Sequence, residues 1–129
     1  MTEDGRKDSA RAELGLAGEE LRAAQTLLDA GLPRIALTRA YFAVFHAIRA
    51  KLYADGFEPR SHGGTQHLFN LHYVKTGVVG ADASRIMARL QKFREEADYA
   101  QAFVIDDAGA REEVDAARGL VSRIDASIG

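Results

Sequence analysis

A chain of 129 residues, 47% hydrophobic and 28% charged, has the length and balance of one folded domain with its own core, which excludes both a pair of ordinary domains and wholesale disorder. Its formal charge of −2 supplies no global attraction for nucleic acid, so any such contact depends on a local basic patch. Cysteine is absent, which excludes disulfides and thiolate metal sites and makes a reducing cytoplasm the expected compartment.

Residues 1–8, MTEDGRKD, read as a flexible charged leader, too polar and acidic for a signal peptide, and residues 9–129 as a single helical domain. From Ser9, a plausible N-cap, Leu14, Ala17, Leu21, Ala24 and Leu28 recur at spacings of three and four, the pattern of an amphipathic helix. Glu13, Glu19, Glu20 and Arg22 are then available for its solvent face. Gly31 ends this helix, and Pro33 opens a second one at a position where a missing N–H is tolerated.

The second helix, Pro33 to about Ala54, holds the longest apolar run, PRIALTRAYFAVFHAIRAKLY. Its near-continuous apolarity predicts burial on several sides, while Arg39, His46, Arg49 and Lys51 interrupt it too often for a membrane span. Arg39 and His46 are seven residues apart. At about 100° of rotation and 1.5 Å of rise per residue they share one stripe, separated by roughly 10 Å along the axis. Ile35, Phe45, Ile48 and Leu52 populate the other faces.

Asp55-Gly56 terminates this helix, and the stretch through Gly63-Gly64, with Pro59 inside, reads as a loop carrying Arg60, Ser61 and His62. Thr65 can cap a short third helix whose apolar contacts are Leu68, Phe69, Leu71 and Tyr73, closed by Lys75-Thr76-Gly77. A fourth helix starts at Asp82 or Ser84, with Ile86, Leu90, Phe93 and Ala97 on one stripe and a basic edge of Arg85, Arg89, Lys92 and Arg94. Asp106-Asp107 suits the start of a fifth helix, whose seam is Val114, Ala117, Val121, Ile124 and Ile128. No segment alternates with a period of two, so the expectation is an all-α, up-and-down four-helix bundle with one additional short helix between the second and fourth.

Bundles of this size often hold di-metal centres built on Glu-x-x-His pairs, and the sequence has none. His62, His67 and His72 are spaced by five, which turns each about 140° from the last on a helix. The expectation is therefore of no metal site and no cofactor. Against apolar surroundings, the polar groups that stand out are Arg39, His46, His62 and the cluster Arg94, Asp98 and Tyr99, with Tyr41 beside Arg39 on the second helix. Arg94 and Asp98, four apart, make an ordinary surface ion pair on the plainest reading. An arginine inside so apolar a helix needs an anionic partner, whether a carboxylate or a ligand phosphate.

The string TRAYFAVFHAIRAKL (Thr38 to Leu52), followed by Ser61-His62 and then by Arg94-Glu95-Glu96-Ala97-Asp98-Tyr99, resembles the HEPN domain, in particular its small stand-alone prokaryotic members. The resemblance runs from about Leu14 to Ile124. It implies an all-α bundle, frequently a homodimer, and frequent pairing with a minimal nucleotidyltransferase as toxin and antitoxin respectively. Many members of this superfamily are metal-independent ribonucleases built on Arg-x(4–6)-His, a spacing that Arg39 and His46 satisfy. On that resemblance His46 is the general acid/base and Arg39 the phosphate ligand, with His62, Arg94, Asp98, Tyr99 and Tyr41 as supporting or binding candidates. An imidazole with an ordinary pKa near 6.5 suits proton exchange with a ribose 2′-OH, and a guanidinium suits a phosphate. Active members often carry a polar residue after the arginine, and those paired with nucleotidyltransferases a tyrosine two places after the histidine; here these positions are Ala40 and Ile48. Two other readings stay open: a non-catalytic module that binds a nucleotide or a protein, and a structural dimer in which Asp98 neutralises Arg39.

Overall fold

The computed structural model describes residues 2–97, 99 and 105–128. Five α-helices follow one another: α1 (Glu3–Asp29), α2 (Pro33–Ala54), α3 (His62–Phe69), α4 (Ala83–Ala97) and α5 (Asp107–Ala126), with a π-helical turn, Asn70–Val74, continuing α3. No strand occurs among the described residues. The molecule has the all-α bundle architecture expected from the periodicity.

Side-chain caps place the starts of α1, α3 and α5. Thr2 accepts the Gly5 N–H at 2.9 Å, and Glu3 and Asp4 complement the dipole in the first turn, so α1 begins well ahead of Ser9, which lies inside it. Ser61, in place of the expected Thr65, caps α3 by accepting the Gly64 N–H at 2.9 Å. The supposed loop residues His62, Gly63 and Gly64 therefore form its first turn, while Thr65 is fully buried and donates its hydroxyl to the Ser61 carbonyl at 2.7 Å. Asp106 caps α5 by accepting the Gly109 N–H at 2.7 Å.

Helices α1 and α2 end alike. Gly31, at φ +79°, lets its own N–H reach Leu28 and the Leu32 N–H reach Leu27, and Gly56, at φ +90°, does the same for Tyr53 and Leu52. Both are left-handed terminations in which glycine carries no Cβ penalty. Because Pro33 follows Gly31 so closely, α2 turns straight back along α1.

Helix α2 is the centre of the bundle, packed along α1, α5 and α4 and touched by α3. Ala36, Leu37, Ala40, Tyr41, Ala43, Val44, Ala47, Ile48 and Leu52 are all buried, which is why this helix reads as apolar on several sides. It meets Ala17, Ala24 and Leu28 of α1, Ile86, Met87 and Leu90 of α4, and Val114, Ala117, Leu120, Val121 and Ile124 of α5 in one core. Ile128, expected in the α5 seam, lies beyond the end of the helix and is half-buried. Phe69 at the end of α3 and Tyr73 in the π-helical turn are buried, whereas Leu71, expected to pack, is exposed.

One buried cation needs an account. Lys51 donates to the Ser127 carbonyl at 2.7 Å and lies 3.4 Å from Asp55, which in turn accepts the Tyr73 hydroxyl at 2.6 Å. The network satisfies the ammonium and fastens the end of α5 to α2 and to the π-helical turn. No helix among the described residues is long and apolar enough to cross a membrane.

Candidate functional site

The antiparallel pairing of α1 and α2 decides what surrounds Arg39 and His46. His46 Nδ1 lies 2.6 Å from Glu13 Oε2, and Arg49 Nε, one turn on, donates to Glu13 Oε1 at 3.2 Å. Arg39 Nη1 donates to Glu20 Oε1 at 3.2 Å and sits 3.0 Å from Oε2, a buried oxygen that receives the charge contact without hydrogen-bond alignment. Glu13 and Glu20 were expected on the solvent face of α1, yet their side chains are only 14% and 21% exposed. They supply the anionic partners that cations on an apolar helix require.

A sequence signal for this pairing existed. Glu13 and Glu20 are seven apart, as are Arg39 and His46, so two adjacent antiparallel helices carry mirrored acidic and basic repeats. Arg49, three residues after His46, falls on the same face.

Glu13 also sets the state of His46. Burial pushes its carboxyl up, but the hydrogen bonds and charges of His46 and Arg49 outweigh this and hold it below the ordinary value of 4.5. An ionised carboxylate has no proton to donate, so the hydrogen in the 2.6 Å contact belongs to His46 Nδ1. The other nitrogen, Nε2, is then the one that can exchange a proton with a ligand. His46 keeps 23% of its side chain exposed and Arg39 keeps 35%. Both therefore reach solvent from one stripe of α2.

Beside them lies a layer of aromatic rings and guanidinium groups. His62, exposed at the start of α3, stacks on Phe45 with ring centroids 4.1 Å apart and planes 11° from parallel. Arg94 from α4 stands 5.2 Å over Tyr41 and 5.3 Å over Phe42, Arg39 stands 5.1 Å over Phe42, and Arg49 stands 5.8 Å over Phe45. Arg49 also donates to the Tyr53 hydroxyl at 3.0 Å and to the Pro59 carbonyl at 3.4 Å. Burial against the rings, followed by the charges of Arg94, Arg49 and His46, lowers the His62 imidazole from its ordinary value of 6.5.

The structure thus brings Arg39, His46, His62 and Arg94 to one face with Glu13, Glu20 and Arg49, which sequence reasoning had not included. Tyr41 is 1% exposed and forms the floor beneath Arg94, with burial raising its phenol. Tyr99 is 72% exposed. Asp98, and with it the expected Arg94–Asp98 pair, lies outside the described residues. A concavity of about 250 Å³ lined by Lys7, Ala10, Arg11, Leu14, Ala54 and Ile128, and a smaller one of about 80 Å³ beside Gln66 and Gln91, lie away from Arg39 and His46. The candidate site is an open face. Among the described residues no group of three or more His, Asp or Glu side chains is placed to hold a metal ion.

A bundle centred on this helix, with Arg39 and His46 on one stripe, defines a class. The HEPN domain family model matches residues 11–126, and the chain belongs to that family. A Methanocaldococcus jannaschii protein named "Putative toxin" is 33% identical over 93 residues, which are 72% of this chain and 69% of that protein. A UPF0332 protein of Thermotoga maritima is 29% identical over 109 residues, 84% of this chain and 83% of that one. A UPF0332 protein of Pyrococcus horikoshii is 43% identical over 61 residues, 47% of this chain and 43% of the relative, so that match spans less than half of its length. By family the chain is a HEPN protein, and it is similar to relatives that carry the name of toxins.

Proposed function

We propose that this HEPN protein is a toxin-like, metal-independent RNA endonuclease that works as a homodimer and pairs with a minimal nucleotidyltransferase. The observation that carries the reading is the Glu13–His46 contact at 2.6 Å, which commits Nδ1 and leaves Nε2 for proton exchange on the face that Arg39 shares. In the proposed step the ribose 2′-oxygen attacks the adjacent phosphorus and the bond to the 5′-oxygen breaks, leaving a 2′,3′-cyclic phosphate and a 5′-hydroxyl. His46 Nε2 takes the 2′-OH proton, and an imidazolium returns one to the leaving 5′-oxygen. A dimer that juxtaposes two copies of His46 supplies both roles. Arg39 holds the phosphate and stabilises charge that develops on its oxygens.

The test is incubation of purified protein with total RNA or tRNA in the presence of EDTA. Wild type is expected to cleave, and His46→Ala to abolish cleavage. Retained cleavage by His46→Ala overturns the assignment.

One observation favours a second reading, a non-catalytic binding module. Arg39 is already neutralised by Glu20, so a phosphate has to compete with a carboxylate 3.0 Å away. Wild type and His46→Ala equally inert towards RNA, with a nucleotidyltransferase still co-purifying, is the outcome this reading expects.

A further inference from the structure

The imidazole of His62 is presented flat at the surface, one face on an aromatic ring. It is an exposed side chain, yet it lies nearly flat on the buried ring of Phe45, with Tyr41 parallel to it at 6.4 Å and Phe42 edge-on at 6.4 Å. Ser61 fixes the backbone beneath it as the cap of α3, so the ring is presented from a rigid helix start. Two guanidinium groups flank the same aromatic layer: Arg49 at 5.8 Å over Phe45, and Arg94 over Tyr41 and Phe42.

We propose that His62, backed by Phe45 and flanked by Arg49 and Arg94, is a stacking platform for one base of a single-stranded nucleic acid. Flat aromatic surface combined with adjacent cations is the arrangement that holds single strands, because every base has a π-face and every nucleotide a phosphate. A duplex keeps its bases stacked on one another and cannot offer one to the ring. The surroundings of His62 favour its neutral form, so at neutral pH a base can cover the ring without desolvating a charge.

The platform deepens the proposed RNA-cleaving role, and only its link to the scissile phosphate rests on that reading. Phe45 is in ring contact with both imidazoles, 4.1 Å from His62 and 5.9 Å from His46. A strand with one base on His62 runs its backbone past Arg49 and Arg94 towards the Arg39–His46 stripe. His62 would thereby position the nucleotide next to the bond that His46 acts on.

The experiment is a fluorescence-anisotropy titration of the intact protein against a labelled single-stranded oligodeoxynucleotide, which lacks the 2′-OH and cannot be cut by the proposed route. Wild type binds it, His62→Ala weakens binding about tenfold, His62→Phe retains it, and the matching duplex binds more weakly than the single strand. No binding by wild type, unchanged binding by His62→Ala, or equal affinity for duplex overturns the platform. Thermal melts of the variants, whose substituted side chain is exposed, check that the fold is kept. Binding that depends on His62 in a protein inert towards RNA sustains the platform and rejects the nuclease. Cleavage that His62→Ala leaves intact, with unchanged oligonucleotide affinity, does the reverse.

Discussion

Glu13 is the residue on which the candidate site turns. It holds His46 through Nδ1 and Arg49 through Nε, and its carboxyl is kept below the ordinary 4.5 by those two partners. A group whose folded pKa is depressed adds stability above its unfolded pKa and loses it as pH falls through the folded value. Glu13→Gln is therefore expected to be less stable than wild type at pH 7 by about 1–2 kcal/mol, and to lose less on acidification below about pH 4.5. Urea unfolding of both proteins at pH 7 and pH 3 reads the difference; equal pH dependence would remove the ion pair from the account. For activity, the same variant leaves His46 present but without the carboxylate that fixes the proton on Nδ1. On the proposed nuclease reading, kcat for RNA cleavage falls about tenfold or more with KM little changed, as for other side chains that hold a functional histidine in one tautomer.

At the scale of elements, the short reach of Glu13 to His46 depends on how closely α1 and α2 approach. The register set by the two acid–base pairs places Ala10, Ala17 and Ala24 of α1 level with Ala50, Ala43 and Ala36 of α2, and all six are buried. Small side chains along both helices let the backbones come together. Ala17→Leu adds volume to a fully buried position and is expected to cost about 1–3 kcal/mol. On the proposed nuclease reading it also lowers RNA cleavage, since it forces apart the helices that carry Glu13 and His46. Circular-dichroism melts and the EDTA cleavage assay on the same preparation check both parts; an unchanged melting temperature would mean that the seam tolerates the extra volume. The elements also show how far local patterns reach. The alternating spacing of Leu14, Ala17, Leu21, Ala24 and Leu28 marks α1 correctly as a helix, but its true start at Glu3 depends on the Thr2 cap and two acidic residues that sit outside the apolar pattern. Likewise the stretch around Gly63-Gly64 looks like a loop by composition, and becomes helix because Ser61 caps it and Thr65 is buried beneath.

At the scale of the whole molecule, Arg39, His46 and His62 reach solvent on the face they share with Arg49 and Arg94, and the concavities beside Lys7 and beside Gln66 lie elsewhere. His46 can take a proton and must find a second group to return one, and His62, the other imidazole of this face, lies stacked on Phe45. This is the physical reason for proposing that two copies work together. Sedimentation equilibrium is expected to give twice the monomer mass, and mixing Arg39→Ala with His46→Ala protein should restore part of the cleavage if the two copies contribute to one site. A strictly monomeric protein with full activity would reject the dimeric site.

The sequence by itself determined the helices, their order, the central place of Pro33 to Ala54 and the family, because a period of 3.6 residues and a motif of fixed spacing are local properties of the chain. It also singled out Arg39 and His46, since a cation and an imidazole in an apolar helix are conspicuous from composition alone. Only the tertiary structure decided that Glu20 is the anion beside Arg39, that Glu13 holds His46, and that His62 is laid on Phe45 in a helix start and not in a loop. Those facts depend on the register between α1 and α2 and on the docking of α3 against α2. Such pairings join residues distant in the chain, and they are set by how closely the helices pack.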